Sequence, residues 1–501
     1  MTGRNPAPES QEVSPAEVIS VMFSEEIEPM SITASSLRLE DQSGRAVDVV
    51  AVTRGSEVVL APKVPLDPRL SYRVTVTGEV TDLAGNGVPE TSFWEFRTRA
   101  ATWSAPVLLE NEQRKKAVSI DVAAAGGVIV AAWASATCVN TTCGLVNEVW
   151  AAVRKGGVWG TPTKLSTATD RIVGIRVGAS ATGRAIAVWG EDGVSGPGKL
   201  YASHFDGTSW ASSVPLQQNR DRSIRPAQVV APNDGSFFVV WTDLLLPTRS
   251  TFWAARHLPT TGWQAAAGVQ IDDGQDHWGP ALATSGDSIA MLWDVQSTRE
   301  ISFSQISGVS GTDPAPIATT PAKPMLIAIA TGAAQATALW GTDHVMARSQ
   351  TNGVWDAPTQ LDEPSRPPPT FAAKAGSNLA YTDRGTVIAV WATATDTWQA
   401  VRPAGQTWGP SFSIDNAADP VEDLQLAAGR SRALALWRTS DVIANEYNDA
   451  SGWHGAAASG VSTAPVAALA IAYDTETNTF VAVWLQGNAA GLVDVVSSSY
   501  R

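Results

Sequence analysis

Most of the chain repeats one pattern of hydrophobic positions. A small residue, a short apolar run and a tryptophan recur in segments such as "GRAIAVW" (183–189). The tryptophans that end these runs are Trp133, Trp189, Trp241, Trp293, Trp340, Trp391, Trp437 and Trp484. Successive ones lie 46 to 56 residues apart. A self-similar period near 50 residues indicates a repeat architecture.

Three further strand-like segments accompany each tryptophan run. In the second repeat unit they are "GIRVGASATG" (174–183), "LYASHF" (200–205) and "SWASSVPL" (209–216). Four short strands per unit without helical periodicity predict a β-propeller of four-stranded blades, whereas a β-solenoid would use shorter repeats. The eight tryptophan runs predict eight blades. "TWSAPVLL" (102–109) stands alone before the first unit, so it is expected to complete the last blade and close the ring.

The tryptophan runs are almost continuously apolar rather than alternating. That pattern is typical of a strand that is covered on both faces. A large aromatic side chain at its end can fill the space between adjacent blades and bury much area there. We therefore predict that the repeated tryptophans belong to the core and do not stack on a ligand.

The segment from residue 15 to residue 100 shows a different pattern. Stretches such as "EVISVMFSEEI" and "SFWEFRT" alternate apolar and polar residues between Gly, Pro and Asp turns. This alternation indicates half-buried antiparallel strands, and several of them within such a short segment predict a β-sandwich. Residues 1–14 are predicted to be a flexible linker. Residues 101–501 are predicted to form the propeller.

The sandwich segment resembles the bacterial Ig-like domain of S-layer and other surface proteins. The matching residues are Phe23-Ser24-Glu25, Met30, Leu60-Ala61-Pro62, Tyr72, the turn "TDLAGN" (81–86) and Phe96-Arg97-Thr98. The resemblance implies a spacer or adhesion module and not an enzyme. Asp82 and Asn86 are expected to bond the backbone of their own turn, as short polar side chains do, rather than to bind calcium.

The repeats resemble those of sialidase-like propellers. That family carries an Asp-box, Ser-x-Asp-x-Gly-x-Thr-Trp, on the turn between the third and fourth strands. "SHFDGTSW" (203–210) and "NDASGW" (448–453) fall at that turn without the full spacing. The box is a structural turn, so the resemblance implies a fold rather than an activity. A sialidase site would also need an arginine trio and a Tyr–Glu pair, and no tyrosine here has an obvious Glu partner.

Composition narrows the functional classes. The chain has 501 residues, 44% hydrophobic and 17% charged, with a formal net charge of -14. This balance favours a folded protein, and the spread of acidic residues argues against a nucleic-acid partner. No apolar stretch is long enough for a transmembrane span. The first residues lack the apolar core of a secretory signal, so any targeting or lipid-anchor segment would lie outside this sequence.

The two cysteines, Cys138 and Cys143 in "TCVNTTCG", are predicted to form a local disulfide. A zinc site would need two more Cys or His ligands nearby, and neither a metal nor a cofactor is expected. A disulfide implies an oxidising compartment, so we expect the protein outside the cytoplasm of a bacterium, extracellular or at the cell surface.

The loops that enter the first strand and leave the second differ most between units, in length and in charge. Loops on a rigid scaffold commonly carry function. The candidate ligand-binding residues on them are Arg171, Arg220, Arg222, Arg225, Asp272, Asp273, Asp276, His277 and Trp278. Arginines suit carboxylates or sulfates, and Trp278 can stack on a sugar or anchor a protein contact. In the alternative, 272–278 is a solvated loop whose tryptophan caps the central channel.

Three functions remain open at this stage. The first is a non-catalytic surface protein whose propeller loops bind a protein or a glycan, with the Ig-like domain as spacer. The second is a glycan-cleaving enzyme of the sialidase type, and the third is a structural subunit of a surface layer or fibre. The sequence contains no G-x-S-x-G, H-E-x-x-H or G-x-x-x-x-G-K-[ST] motif, and we predict no catalytic residue.

Overall fold

A computed structural model describes most of the chain. The described residues are 1–110, 115–139, 142–168, 170–192, 198–218, 224–245, 249–264, 277–308, 310–333, 335–363, 378–415, 419–439, 441–460, 462 and 464–501. The chain divides into two compact units. The first comprises Met1–Trp103, Glu476–Thr479 and Tyr500–Arg501, and the second comprises Ser104–Thr475 and Phe480–Ser499.

The first unit is a sandwich of two antiparallel sheets. Its strands are β1 (Gly3–Asn5), β2 (Ile19–Met22), β3 (Leu37–Asp41), β4 (Val49–Arg54), β5 (Glu57–Pro62), β6 (Ser71–Val76) and β7 (Ser92–Arg97), with one 3-10 turn at Pro29–Ser31. One sheet has the order β1-β2-β5-β4 and the other β3-β6-β7. Burial alternates along these strands: Val58 and Leu60 of β5 are buried, and Val59 between them is partly exposed. The alternation predicted from the sequence is therefore that of strands covered on one face.

The first 14 residues differ from the expected linker. Strand β1 pairs with β2, with Arg4 opposite Val21. Val13 is buried, and its N–H donates to the carbonyl of Arg97 at 3.0 Å. A strand of only three residues at a sheet edge is held mainly by backbone bonds, which explains why the hydrophobic pattern does not reveal it.

The second unit consists of successive antiparallel sheets. Its first strands in chain order are β8 (Val107–Leu108), β9 (Lys115–Ala125), β10 (Val128–Val139), β11 (Thr142–Lys155), β12 (Val158–Trp159), β13 (Thr163–Thr167), β14 (Arg171–Ala179), β15 (Ala185–Asp192), β16 (Lys199–Phe205), β17 (Val214–Gln218), β18 (Ile224–Val230), β19 (Phe237–Leu245), β20 (Arg249–Leu258), β21 (Gly262–Gln264), β22 (His277–Ser285), β23 (Ser288–Val295), β24 (Glu300–Ser307), β25 (Ser310–Gly311) and β26 (Ala315–Thr319). The remaining strands are β27 (Leu326–Gly332), β28 (Gln335–Gly341), β29 (Val345–Thr351), β30 (Val354–Trp355), β31 (Thr359–Gln360), β32 (Leu379–Tyr381), β33 (Val387–Ala392), β34 (Thr397–Arg402), β35 (Phe412–Ser413), β36 (Glu422–Gly429), β37 (Arg432–Arg438), β38 (Val442–Asn448), β39 (Gly452–Trp453), β40 (Ala457–Ala458), β41 (Val466–Asp474), β42 (Thr479–Gly487) and β43 (Val493–Tyr500).

Most of these sheets have four strand positions in chain order. Strands β14–β17, β18–β21 and β32–β35 form four-stranded sheets, and in β22–β26, β27–β31 and β36–β40 two short strands share the fourth position. A nine-stranded sheet joins β9–β13 to β41–β43 and β8. Here Leu108 of β8 lies opposite Val496 of β43, so the pairing expected for segment 102–109 is confirmed.

The first strands of the sheets pack side by side in a propeller-like order. The series runs β9, β14, β18, β22, β27, β32, β36 and β41, and β41 in turn packs against β9. The second strands end at one edge of the sheets, which is marked by Thr137, Asp192 and Val295. We call this edge the loop edge. The opposite edge, marked by the turns at Gly126 and Gly183, is called the turn edge.

The repeated tryptophans are core residues, as predicted. All eight are buried, with at most 3% of the residue exposed. Tryptophans of these runs pack against the second strand of the preceding sheet: Trp189 shares a cluster with Val130 and Ala132, and Trp437 shares one with Val390. The second strands are buried along nearly their whole length, because a sheet covers each of their faces.

Small residues allow neighbouring first strands to approach near the turn edge. A Cβ added at Gly178 would lie 2.6 Å from Val229, and one at Gly429 would lie 2.2 Å from the ring of Tyr473. Both distances are too short for real contacts, so larger residues at these positions would push the sheets apart.

Candidate functional site

The structure brings part of the predicted ligand-binding set to one place, the loop edge. Arg171 is exposed and begins β14, opposite Asp192. Arg225 lies near the start of β18, and His277 and Trp278 begin β22, whereas the sequence placed the last two in a loop. These positions therefore share one edge of three consecutive sheets. The other predicted residues lie outside the described residues: Arg220, Arg222, Asp272, Asp273 and Asp276.

A long hairpin dominates the loop edge of the first sheet. Strands β10 and β11 have 12 and 14 residues, against eight and seven for β15 and β16. Among the described residues, the pairing of β10 with β9 extends to Thr137 and that of β10 with β11 extends to Val139. The pairing of β10 with β11 shifts register between Ser135 and Ala136 and again between Ala136 and Cys138.

A disulfide closes this hairpin near its tip. Cys138 and Cys143 lie opposite each other on the two strands, and their sulfur atoms are 2.07 Å apart. The predicted disulfide is therefore confirmed. Two apolar side chains beside the disulfide face solvent. Val139 is 68% exposed, and Leu145 is 42% exposed. The tip thus combines covalent rigidity with exposed apolar surface.

An ion-pair cluster lies at the base of the same hairpin. The carboxylate of buried Glu148 accepts hydrogen bonds from Lys115 Nζ at 2.6 Å and from Lys164 Nζ at 3.0 Å. The indole of Trp150 donates to it at 3.1 Å. Lys115 also donates to Thr137 Oγ1 at 2.9 Å, which links β9, β10 and β11 through polar side chains.

The cluster fixes the charge of Glu148. Burial opposes ionisation, but the hydrogen bonds from Lys115, Lys164 and Trp150 outweigh it and lower the pKa of the carboxyl group. A carboxylate that stays ionised suits anchoring better than proton transfer. Sequence reasoning missed this cluster because its charged residues come from three separate segments of the chain.

A second carboxyl group at the loop edge behaves in the opposite way. Glu191, near the end of β15, is only 4% exposed. Burial raises its pKa, and nearby Lys199 offsets part of this effect. A raised pKa is the direction of shift that a general acid shows. The sequence pattern did not predict the burial of Glu191, because polar residues are expected where a second strand ends.

The Asp-box-like turn at the turn edge is held by its own aspartate. Asp206 Oδ1 accepts the backbone N–H groups of Thr208 at 2.7 Å and Ser209 at 2.8 Å. These bonds lower the pKa of Asp206. The structural role expected for this box is therefore confirmed. Asp82 in the first unit accepts from the backbone of Ala84 and Asn86 in the same manner.

Among the residues described, no three His, Cys, Asp or Glu side chains come close enough together to hold a metal ion. Within the same residues, no helix has the length and hydrophobicity needed to cross a bilayer.

Comparison with known families identifies the first unit. Residues 1–98 match the sequence model of the bacterial Ig-like domain family. This part of the chain is thus a bacterial Ig-like domain, as its resemblance predicted, and the match includes the residues expected to be a linker. No curated protein matches the chain.

Solved structures resemble the chain through their propellers. The Hadza microbial sialidase Hz136 has a TM-score of 0.38 at 11% identity, covering 77% of this chain and 92% of that one. The subtype N11 neuraminidase-like protein of a flat-faced bat influenza virus has a TM-score of 0.39 at 8% identity, covering 80% and 95%. The fungal lectin of Aleuria aurantia, a six-bladed propeller that recognises fucose, has a TM-score of 0.35 at 14% identity, covering 59% and 94%. At these values no ligand or activity follows for this chain.

Proposed function

We propose that this protein is a bacterial surface protein that binds a glycan or a protein at the loop edge of its propeller. The Ig-like domain serves as the spacer, and the protein functions outside the cytoplasm, where its disulfide is stable. Bacterial Ig-like domains are typical of surface proteins, which supports this location.

The hairpin β10–β11 is the observation that carries the proposal. Its strands have 12 and 14 residues, the Cys138–Cys143 bond closes it, and the Glu148 cluster anchors its base. A rigid element loses little conformational entropy when a partner binds, so its contacts contribute more of their energy to affinity. Exposed Val139 and Leu145 supply apolar contact, and Arg171 at the same edge supplies a cation for carboxylate or sulfate groups.

We further propose that the second unit is an eight-bladed propeller. Support comes from the eight first strands that pack in sequence, and from the contact of the last of them with β9. The pairing of β8 with β43 supplies the fourth strand of the last blade and explains why one sheet contains strands from both ends of the unit.

A glycan array and a pull-down from surface extracts test the binding function. We expect Val139→Asp and Arg171→Ala each to weaken binding of the ligand found by at least about tenfold, or about 1.4 kcal/mol. Val354→Asp is the matched control, because Val354 is 73% exposed on the fifth sheet and far along the chain from the hairpin. Equal affinity in all variants would remove the loop edge from consideration.

Glu191 favours a second candidate, a glycan-cleaving enzyme. A buried carboxyl group with a raised pKa can donate a proton to the leaving oxygen of a glycoside. Fluorogenic sialosides and common glycosides test this directly. Hydrolysis that Glu191→Gln abolishes would establish the enzyme, and no hydrolysis by the parent protein would leave binding as the function.

A further inference from the structure

A cavity of about 510 Å³ lies between the first two sheets near the turn edge. One wall comes from β11 and the segment after it, through Lys155, Thr161 and Thr163. The other comes from the Asp-box-like turn of the next sheet, through Thr208, Ser209 and Trp210. Pockets that hold small ligands usually have volumes of about 300–1,000 Å³, so this cavity has room for one or two sugar residues.

Its apolar wall is aromatic and firmly supported. Trp210 is half-buried, and its ring lies 5.5 Å from that of buried Phe205, which also lines the cavity. Aromatic surfaces are suited to the apolar C–H face of a pyranose ring, because both shed water on contact. Because Phe205 already supports the Trp210 ring, little conformational entropy of that side chain is lost when a ligand binds.

Its polar groups surround this aromatic wall. The hydroxyl-bearing side chains of Thr161, Thr163, Thr208 and Ser209 are exposed around the cavity. Lys155 Nζ donates to the carbonyl of Gly207 across the two sheets and lies 5.3 Å from the centre of the Phe205 ring. An ammonium group has three donors, so Lys155 retains bonding capacity for a ligand.

Asp206 positions the residues of the turn that carry the hydroxyl groups. Asp206 holds the backbone of Thr208 and Ser209 by two hydrogen bonds, which fixes where their side chains begin. The corresponding turns "KGGVW" (155–159) and "TNGVW" (351–355) have Gly and Val where this turn has Thr and Ser. The hydroxyl groups are therefore a feature of this turn and are not required by the repeat.

We propose that this cavity is a carbohydrate-binding site for a neutral sugar. The cation of Lys155 and the anion of Asp206 balance each other beside it, which favours a neutral ring over a charged one. Trp210 supplies the stacking surface, and Lys155, Thr208 and Ser209 supply hydrogen bonds to sugar hydroxyls. The site lies at the edge opposite the loop edge, so it goes beyond the proposed function and does not depend on it.

Titration with neutral hexoses and N-acetylhexosamines, followed by calorimetry and tryptophan fluorescence, tests the site. We expect the parent protein to bind at least one of them at millimolar concentration or below. Trp210→Ala and Thr208→Val should each weaken that binding at least tenfold, or about 1.4 kcal/mol, and Trp210→Phe should retain most of it.

Trp355→Ala is the matched control, because Trp355 follows the same kind of turn and also packs on a phenylalanine, Phe303 of the preceding sheet, at 5.1 Å. It should leave sugar binding unchanged. If Trp210→Ala fails to fold, Thr208→Val decides, since Thr208 is exposed. Absence of sugar binding by the parent, or binding that Thr208→Val leaves intact, overturns the site. Sugar binding that survives Thr208→Val and is lost in Val139→Asp would instead support the loop edge.

Discussion

The two units of this protein solve the same problem, the covering of a β-sheet, in different ways. In the Ig-like unit one face of each sheet meets the core, so Val58 is buried and Val59 is partly exposed. In the propeller unit a second strand has a neighbouring sheet on each face, so Val387 and Val390, which point to opposite faces, are both fully buried. Alternating apolar and polar residues therefore indicate a strand that is covered on one face, and a continuous apolar run indicates a strand that is covered on both.

The largest expected loss of stability comes from replacing one of the repeated tryptophans. Trp189→Ala should lower the free energy of unfolding of the propeller by about 3–5 kcal/mol, because it leaves a large cavity between two sheets. Urea unfolding followed by circular dichroism measures this loss. Trp159→Ala, at a half-buried outer strand, should cost less. Equal midpoints for Trp189→Ala and the parent would contradict the core assignment.

Valine substitutions compare the two units directly. Val387 packs in the core shared with the preceding sheet and Val390 in the core shared with the next one. Both Val387→Ala and Val390→Ala should therefore cost about 2 kcal/mol in the propeller transition. In the Ig-like unit Val58→Ala should cost as much, and Val59→Ala less than about 1 kcal/mol. Denaturation of each variant measures these costs, and similar losses at Val58 and Val59 would refute the comparison.

A pH effect should appear in the propeller. His204 and His257, on the third strands of adjacent sheets, stack with ring centres 4.5 Å apart. Burial, followed by the charge of His257, lowers the pKa of His204 to about 4 from its ordinary value of 6.5. The unfolded chain therefore binds the proton first, so the stabilisation is complete above pH 6.5 and disappears as the pH falls through 4.

We expect this loss to be about 2 kcal/mol, reduced by the partial exposure of His204. Thermal unfolding between neutral pH and pH 4 measures it. His204→Phe should reduce the pH dependence to the part due to His257, whose pKa burial also lowers. A slope in His204→Phe as steep as that of the parent would assign the effect to other groups.

The smallest expected effect is that of the disulfide. Cys138 and Cys143 are only five positions apart and close a short loop, so reduction should change the free energy of global unfolding by about 1–2 kcal/mol. Hydrogen exchange should instead speed up at the hairpin tip, while the Glu148 cluster protects its base. The Cys138→Ser/Cys143→Ser variant serves as the control for reductant. Faster exchange throughout the first sheet would show that the bond supports more than the tip.

The sequence predicted features that mark its pattern of residues and missed those that depend on side chains brought together by the fold. The tryptophan period and the two-faced burial of the second strands follow from the repeat, and the pairing of segment 102–109 follows because the last unit needs a fourth strand. The bond between Cys138 and Cys143 followed from their isolation in the chain. The Glu148 cluster joins three segments through side chains, and the pKa of Glu191 depends on burial by residues distant in sequence. Neither leaves a periodic signal.

The pairing of β8 with β43 has a consequence for synthesis on the ribosome. Leu108 is synthesised long before its partner Val496, so β8 waits for β43 while the intervening sheets are made. Until then β8 and the edge of β9 that pairs with β43 have unpaired backbone groups, and such edges invite association with other chains. A nascent chain of this protein therefore needs either rapid completion or a chaperone that covers the unpaired edges of β8 and β9. A product terminated before β43 would be a target for proteases.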